Sequence, residues 1–232
     1  LTSKTKLLVV TSEAFITEYY SKVLNQSSLP YMEIENKIEQ KTIKTKLKLV
    51  TKNVDVIRIG YYGAIRCLVS WEILLSVIER SQGRIILNIY GVLDFIDNAF
   101  NDVNRIHGIN YFGRYISPDD LQMIYNNIDI VWIASIHGGD NCFWAKRCRY
   151  YEAGAFNTPM IAHIDSQDGS QVKKYGLGKV CNLMDRTATI EQLLTLNQND
   201  IASWNNNIKQ MPRDNFYYSG EHKALISRLK EL

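Results

Sequence analysis

The chain has 232 residues, of which 46% are hydrophobic, 22% charged and 11% aromatic, with 13 glycines, 4 prolines and a net charge of +3. A chain of this length and apolar content forms one large domain or one domain with appendages, which excludes an intrinsically disordered or fibrous protein. It contains no run of about 18 apolar residues that would predict a membrane-spanning helix.

The small basic excess falls in residues 1–50, where Lys37, Lys41, Lys44, Lys46 and Lys48 form a run. We interpret this run as a solvated helix or linker face, and contact with a membrane surface is the open alternative. A nucleic-acid-binding protein would usually carry a basic stripe along its folded domain. No nucleic-acid partner is therefore expected.

The cysteines and histidines are dispersed along the chain. Cys142 and Cys148 are the closest pair of cysteines, and their spacing is not that of zinc ligands. No metal site is therefore predicted. Unpaired, scattered thiols fit a reducing cytoplasm, so we expect a cytoplasmic protein, with a peripheral position at the inner face of the cell membrane as an alternative.

In chain order, the pattern first predicts a strand at residues 6–10 and a helix at 13–24, followed by a polar, lysine-rich stretch to about residue 53. Strands and helices then alternate as 54–61, 68–80, 84–90, 95–106, 109–112, a helix after 117, 129–134, 148–156, 159–164 and 171–175. Residues 199–232 have a mostly helical pattern. Their aromatic residues Trp204, Phe216, Tyr217 and Tyr218 are available for packing.

Two helices carry specific predictions. In the helix at 68–80, one apolar face holds Leu68, Trp71, Leu74, Leu75 and Ile78. For the helix after 117, Ser117 is predicted as the N-cap, with proline in the first helical position and two carboxylates in the first turn.

The alternation of strands and helices predicts an α/β fold, a doubly wound parallel sheet of Rossmann-like type with extra N- and C-terminal helical elements. Ligands of such sheets bind at the carboxyl ends of the strands, near the point where the strand order reverses. The loops expected to line a site are 63–66, 90–93, 113–117 and 135–146. The G-x-G-x-x-G fingerprint is absent, which argues against a dinucleotide cofactor.

Residues 63–66 are predicted to lie between the first strand and helix of this alternation. Gly63 would allow close approach of the backbone, and Arg66 could hold a phosphate with two hydrogen bonds. A turn with a solvated arginine is the alternative. Tyr90 and Gly91 end the second strand and either approach a ligand or form an ordinary turn. Arg114 and Tyr115 could face a flat base.

Glu152 lies in an apolar helix, in the sequence RYYEAGAF. Burial of this carboxylate is costly without a partner. Either an arginine such as Arg149 pairs with it, or it accepts hydrogen bonds from ligand hydroxyls. Both interpretations remain open from the residues alone.

A longer run then points to a family. Residues 149–161 (RYYEAGAFNTPMI), followed by Asp168-Gly169 and by GLGKV at 176–180, resemble the C-terminal, donor-binding domain of GT-B glycosyltransferases of the group 1 type. The resemblance covers about residues 54–182. It implies transfer of a sugar, of hexosyl type, from a nucleotide-sugar donor to an acceptor hydroxyl without a metal or other cofactor, in bacterial polysaccharide biosynthesis.

The resemblance also implies roles for residues. Glu152 would hold the ribose hydroxyls, and Arg66 would neutralise the leaving diphosphate. The complete predicted set of nucleotide-sugar contacts is Gly63, Arg66, Tyr90, Gly91, Arg114, Tyr115, Asn141, Lys146, Tyr151 and Glu152. The chain departs from the family in two places. Trp144 stands where members commonly carry a second Glu, and no Lys follows Arg66, so that Lys146 or Arg147 would supply that charge.

By the same resemblance, residues 1–53 are predicted as the last strand and helix of an acceptor domain plus a linker. Residues 54–198 are predicted as the donor domain, and 199–232 as helices that cross back. The chain alone is then expected to be inactive, with a glycan or lipid-linked acceptor bound by the absent domain. One alternative is a non-catalytic nucleotide- or glycan-binding module of the same fold. Another is a flavodoxin-like regulator, which would need a carboxylate cluster that residues 63–66 lack.

Overall fold

The first elements of the chain form a small unit of their own in the computed structural model, which describes residues 4–26, 28–42, 56–94, 103 and 105–232. Strands β1 (Leu8–Val10) and β2 (Tyr31–Glu33) pair in parallel, and a π-helix (Phe15–Ser21) lies between them in the chain. A short 3-10 helix follows at Gln40–Thr42. The predicted strand at 6–10 is confirmed, the predicted helix at 13–24 is a shorter π-helix, and β2 was not predicted.

Six parallel strands form the main sheet. They are β3 (Ile57–Ile65), β4 (Ile85–Leu93), β5 (Ile109–Tyr111), β6 (Ile130–Trp132), β7 (Met160–His163) and β8 (Gly178–Cys181). Their order across the sheet is β5-β4-β3-β6-β7-β8, and all of their ladders are parallel. Parallel neighbours need crossover connections, which the helices supply. The predicted doubly wound α/β class is confirmed, and the strand order reverses between β3 and β6.

Helices and loops connect these strands. The helices are α1 (Leu68–Arg80), α2 (Leu121–Asn126), α3 (Asn141–Trp144), α4 (Cys148–Ala155), α5 (Gln167–Tyr175), α6 (Arg186–Leu194), α7 (Gln198–Gln210) and α8 (Glu221–Lys230). A further 3-10 turn covers Arg213–Asn215. No helix of the described residues combines the length and the apolar character that crossing a membrane requires.

The two faces of the sheet have separate cores. On one face, Trp71, Leu74 and Val77 of α1 pack with Leu193 of α6 against the sheet. On the other face, α2 and α4 contribute a second cluster, which Phe216 closes from the C-terminal segment. Because both faces are covered, residues Ile130 to Ala134 are completely buried, as their continuous apolar run predicts.

Within and around the main sheet, the structure differs from the sequence predictions in β3, in α1 and in the turn before α2. Strand β3 continues to Ile65 because its ladder with β4 extends that far, so Gly63 lies within a strand and not in a loop. Leu68, predicted on the buried face of α1, is 53% exposed. Most of the helix predicted at 95–106 lies outside the described residues.

The third difference concerns the predicted cap at Ser117. Residues 117–120 form turns, and α2 begins only at Leu121. The carboxylate of Asp120 accepts a hydrogen bond from the backbone N–H of Ile116 at 2.7 Å. Since this bond holds the chain in a turn before the helix, the prediction of Ser117 as the N-cap is wrong.

Candidate functional site

The reversal of strand order places the ends of β3 and β6 beside each other. The Ser70 hydroxyl, in the first turn of α1, donates to the Ala134 carbonyl just after β6 at 3.3 Å. Cys67 caps α1, its sulfur accepting from the Ser70 N–H at 3.5 Å. Burial raises the pKa of the Cys67 thiol, but hydrogen bonds from Ser70 and the Ile136 backbone outweigh it and lower the pKa below its usual value. The start of α1, beside the carboxyl ends of β3 and β6, therefore favours negative charge.

Three glycines stand side by side near the carboxyl ends of β3, β4 and β5. Gly63 pairs with Gly91 across the ladder, and the Gly91 N–H donates to the Gly113 carbonyl at 2.6 Å. All three have positive φ, of 100°, 124° and 76°. A Cβ on Gly91 would collide with the Gly63 carbonyl, whereas a Cβ on Gly63 or Gly113 would meet open space. The backbone of Gly63 and Gly113 can thus be approached closely by a ligand.

Arg66 follows β3 directly and is held by a partner that sequence reasoning missed. Its Nε donates to Asp94 Oδ2 at 2.7 Å, and 58% of its side chain is exposed. Within the described part of the chain, the two terminal guanidinium nitrogens make no hydrogen bond. Asp94 fixes the direction of the guanidinium, and those nitrogens remain available for a bidentate contact with an anion.

Glu152 is buried in α4 and bound by tyrosines from other elements. The Tyr62 hydroxyl, from β3, donates to Glu152 Oε2 at 2.5 Å, and it also contacts the Tyr125 hydroxyl of α2. Burial raises the pKa of the Glu152 carboxyl, and the Tyr62 hydrogen bond and the charge of Arg149 oppose this rise. Burial also holds the pKa of Tyr62 well above its usual value, so Tyr62 is a neutral donor at pH 7.

Arg149 does not replace Tyr62 as the direct partner of Glu152. Its Nη1 donates to the Trp132 carbonyl at 3.2 Å, and its guanidinium lies over the rings of Tyr61 and Tyr62. Of the two predicted partners for Glu152, the arginine is therefore a neighbouring charge only. The second oxygen of the carboxylate remains for a ligand hydroxyl.

A cavity of about 320 Å³ opens at Glu152. Its wall includes Ser117 and Pro118 from the turn before α2, and Ile38 from the N-terminal segment. Tyr115, half-buried, packs edge-on against Tyr62 at 5.9 Å between ring centroids. Arg114 beside it is exposed. The structure thus brings Tyr115 and Glu152 to one place, with Arg114 in the adjoining turn.

Lys146 and Tyr151 have partners from the N-terminal segment. Lys146 Nζ donates to Glu33 and Glu35 at 2.9 and 2.6 Å, and the Tyr151 hydroxyl donates to Glu35 at 2.9 Å. Burial would raise the pKa of Glu35, but Lys146 and Tyr151 lower it overall. As nucleotide ligands Lys146 and Tyr151 stay predictions, and their polar groups are engaged with carboxylates in this structure.

Three further positions named from the sequence do not lie at the cavity beside Glu152. Trp144, in the place of the family's second Glu, packs against Phe15 and Tyr19 of the π-helix at 6.1 and 6.0 Å. Asn141 begins α3 and is exposed. Tyr90 is buried under the exposed ring of Phe112, which stacks on it at 4.5 Å. Phe112 therefore offers the accessible aromatic face at this edge.

The sequence signals for the missed residues were weak. Tyr62 lies in an apolar strand, where a tyrosine is ordinary, and Asp94 lies 28 positions from Arg66. Neither sequence position predicts a contact, because both contacts depend on how β3 lies against other elements of the fold. Among the described residues, no three His, Cys, Asp or Glu side chains lie close enough together to hold a metal ion. That transfer needs no metal or cofactor stays a prediction.

Comparison with known proteins identifies the architecture. HepE from Anabaena, solved with UDP and glucose, superposes with a TM-score of 0.74 at 14% identity, over 98% of this chain and 64% of its own. TarM matches with a TM-score of 0.66 at 16% identity, over 98% of this chain and 43% of its own. WaaG, a glycosyltransferase involved in lipopolysaccharide biosynthesis, matches with a TM-score of 0.67. This chain has the GT-B glycosyltransferase fold.

This likeness confirms the predicted α/β class and the GT-B fold that the resemblance implied. No family model matches the sequence. The succinoglycan biosynthesis protein ExoL of Rhizobium meliloti (strain 1021) is 27% identical over 199 residues, which are 82% of this chain and 48% of ExoL. The chain thus spans about half the length of this curated relative.

Proposed function

We propose that this chain is the donor-binding part of a glycosyltransferase that transfers a sugar from a nucleotide-sugar to an acceptor hydroxyl in bacterial polysaccharide biosynthesis. The observation that carries the proposal is the buried, tyrosine-bound carboxylate of Glu152 beside a cavity at the carboxyl edge of the sheet. Ligands of doubly wound sheets bind at that edge. HepE, which has the same fold, was solved with UDP and glucose.

In this mechanism Glu152 accepts hydrogen bonds from the two ribose hydroxyls and so fixes the nucleoside. Arg66, directed by Asp94, binds the diphosphate through its free terminal nitrogens. As the bond from the sugar to the diphosphate breaks, negative charge grows on the leaving oxygen. A fixed cation and the anion-favouring start of α1 stabilise that charge without a proton donor.

The proposal also specifies the donor sugar, the acceptor and the location in the cell. We assign a hexosyl donor and a glycan or lipid-linked acceptor, and we place the protein in the cytoplasm, peripheral at the inner face of the membrane. Support comes from the likeness to ExoL, whose name is that of a succinoglycan biosynthesis protein. The residues assigned here serve the donor only. We therefore expect this 232-residue chain alone to release no UDP from UDP-glucose above the rate of the protein-free control.

The decisive test is calorimetric titration of the chain with UDP, GDP and UDP-glucose. Arg66→Ala should weaken binding by about tenfold or more, since charge-assisted hydrogen bonds are lost. Glu152→Gln should weaken it by a similar factor. The matched control is Arg80→Ala, because Arg80 is likewise an exposed arginine bound to one carboxylate, that of Glu191 at 2.6 Å.

The control variant should bind as the parent does. Absence of nucleotide binding by the parent, or equal binding by Arg66→Ala and Arg80→Ala, would refute the assignment of the donor site.

A further inference from the structure

A second, larger cavity lies at the opposite end of the main sheet. Its volume is about 530 Å³. Four lining residues, Tyr125, Asn126, Ile128 and Asp129, immediately precede β6, and residues 156–159 lead directly into β7. The start of α7 forms the remaining wall. The cavity is thus at the amino ends of the strands, whereas Arg66 follows the carboxyl end of β3. No step of the proposed transfer uses it.

Four side-chain amides line this cavity, and each is anchored at one end. Asn126 Oδ1 accepts from Gln122 at 3.4 Å, and Asn157 Oδ1 accepts from Arg213 at 3.1 Å. Gln198 Nε2 donates to the Val56 carbonyl at 3.3 Å, and Asn205 Nδ2 donates to the Asn157 carbonyl. The anchors restrict the rotation of these amides before any ligand arrives.

The other end of each amide is unused. Among the residues that the structure describes, none bonds to Nδ2 of Asn126 or Asn157, or to Oε1 of Gln198 or Oδ1 of Asn205. Two amide NH2 groups and two amide oxygens therefore remain around one cavity. A hydroxyl group both donates and accepts, so a ligand with several hydroxyls can satisfy all four.

The rest of the lining is apolar or already neutralised. Phe156 stacks on Tyr125 with ring centroids 4.6 Å apart, and Ile201, Ala202 and Pro159 complete the apolar wall. The charge of Asp129 is met by Arg58 at 3.1 Å. An aromatic and aliphatic wall suits the C–H face of a sugar ring, and the balanced charge gives no advantage to a phosphate or nucleotide.

We infer that this cavity is a binding site for a neutral saccharide, separate from the donor site. Its volume lies in the range of small-ligand sites and accommodates one or two hexose units. A glycan bound there would stay attached to the protein while another part of the same glycan, or a second glycan, reacts at the donor site. The inference does not depend on the proposed transferase activity, because the four amides that carry it are not residues of the donor site.

The test is titration of the ¹⁵N-labelled chain with glucose, galactose and cellobiose, with saturating UDP present, while the side-chain amide signals are observed by NMR. We expect selective shifts of the Asn126 and Asn157 amides with a Kd of about 1–5 mM, the range of efficient but small ligands. Ala202→Trp should abolish the shifts by filling the cavity. The matched control is Ser203→Trp, at the adjacent exposed position of α7.

A milder variant keeps the test decisive if Ala202→Trp unfolds. Gln198→Leu, at an exposed position, removes one acceptor and should raise the Kd about threefold or more. Glucose 1-phosphate should bind no more tightly than glucose. The inference is overturned by absent shifts, by equal shifts in the Ala202→Trp and Ser203→Trp variants, or by about tenfold tighter binding of the phosphate.

Discussion

Glu152 carries a cost to stability that the fold would avoid with a neutral residue. Its carboxylate is buried in α4, and the direct contact that offsets this burial is one tyrosine hydroxyl. Because burial raises the pKa of Glu152, the folded chain binds a proton at this carboxyl more tightly than the unfolded chain does. A residue kept under such a penalty is a candidate for function, since function and stability then make opposite demands.

Glu152→Gln tests this trade-off. Between the usual glutamate pKa and the raised folded value, the folded state binds more protons, so the stability of the parent falls as pH rises. The glutamine variant has no ionisable group at this position, so it does not lose this stability as pH rises. Its amide oxygen can still accept the hydrogen bond from the Tyr62 hydroxyl. We expect it to gain about 1 kcal/mol or more over the parent at pH 7 and little at pH 4, in urea unfolding.

The control for that measurement is Glu79→Gln, because Glu79 is exposed on α1. It should leave the unfolding free energy unchanged at both pH values. A glutamine variant at 152 that is less stable than the parent at pH 7 would mean that the charge of Glu152 supports the fold.

At the scale of elements, one glycine connects α4 to the C-terminal segment. Gly154 lies directly beneath the ring of Phe216, and a Cβ there would overlap that ring. Phe216 is completely buried, and the N–H of Ile38 donates to its carbonyl at 3.1 Å. The absence of a side chain at position 154 therefore allows the 3-10 turn at Arg213–Asn215 to bring the chain back against the helix of Glu152.

Gly154→Ala should destabilise the chain by about 1–3 kcal/mol through overpacking. In an unhindered helix the same change would stabilise by about 0.5–1 kcal/mol, so the sign itself reports the contact with Phe216. Urea unfolding measures the difference. The double variant Gly154→Ala/Phe216→Leu should recover part of the loss, and simple additivity of the two changes would contradict the proposed contact.

At the scale of the whole molecule, a charge network joins three distant parts of the chain. Glu35 binds Lys146 beside α4 at 2.6 Å and Lys37 at 3.2 Å, and Lys37 also binds Glu221 of α8 at 2.8 Å. The side chains of Lys37 and Lys146 are only 12% and 18% exposed. Partial burial limits screening, so this network holds the segment after β2 against the main sheet more strongly than surface pairs could.

Glu35→Gln should release that segment. Although burial opposes it, the pKa of Glu35 is lowered by Lys146, so its contribution exists above the usual glutamate pKa and is lost as pH falls. We expect a loss of about 1–2 kcal/mol at pH 7 and a smaller one at pH 4, with faster hydrogen exchange in β2. Glu39→Gln, which breaks only the exposed pair with Lys41, should change neither.

The sequence predicted the main sheet well because its strands are buried on both faces and appear as continuous apolar runs, as at 129–134. It failed at β2, whose Tyr-Met-Glu is too short and too polar for any periodicity. For the site, the burial of Glu152 was foreseen from its apolar neighbours. Tyr62 and Asp94 were not. The Tyr62–Glu152 contact depends on how α4 packs against β3, and the Arg66–Asp94 contact depends on the register of β3 and β4, which no local pattern encodes.

The strand order also determines when the fold can form during synthesis. The central strand β3 is the first of the six to be synthesised. One of its two neighbours is β6, so Ile59 of β3 cannot pair until Ile130 of β6 has been synthesised. Until β6 leaves the ribosome, one edge of β3 has no partner, and only the β3–β4–β5 half can pair. Such non-local pairing slows folding and exposes apolar edges to aggregation. Expression at a reduced translation rate should therefore not by itself reduce aggregation of this chain. Co-expression of a chaperone that covers nascent strands should reduce it.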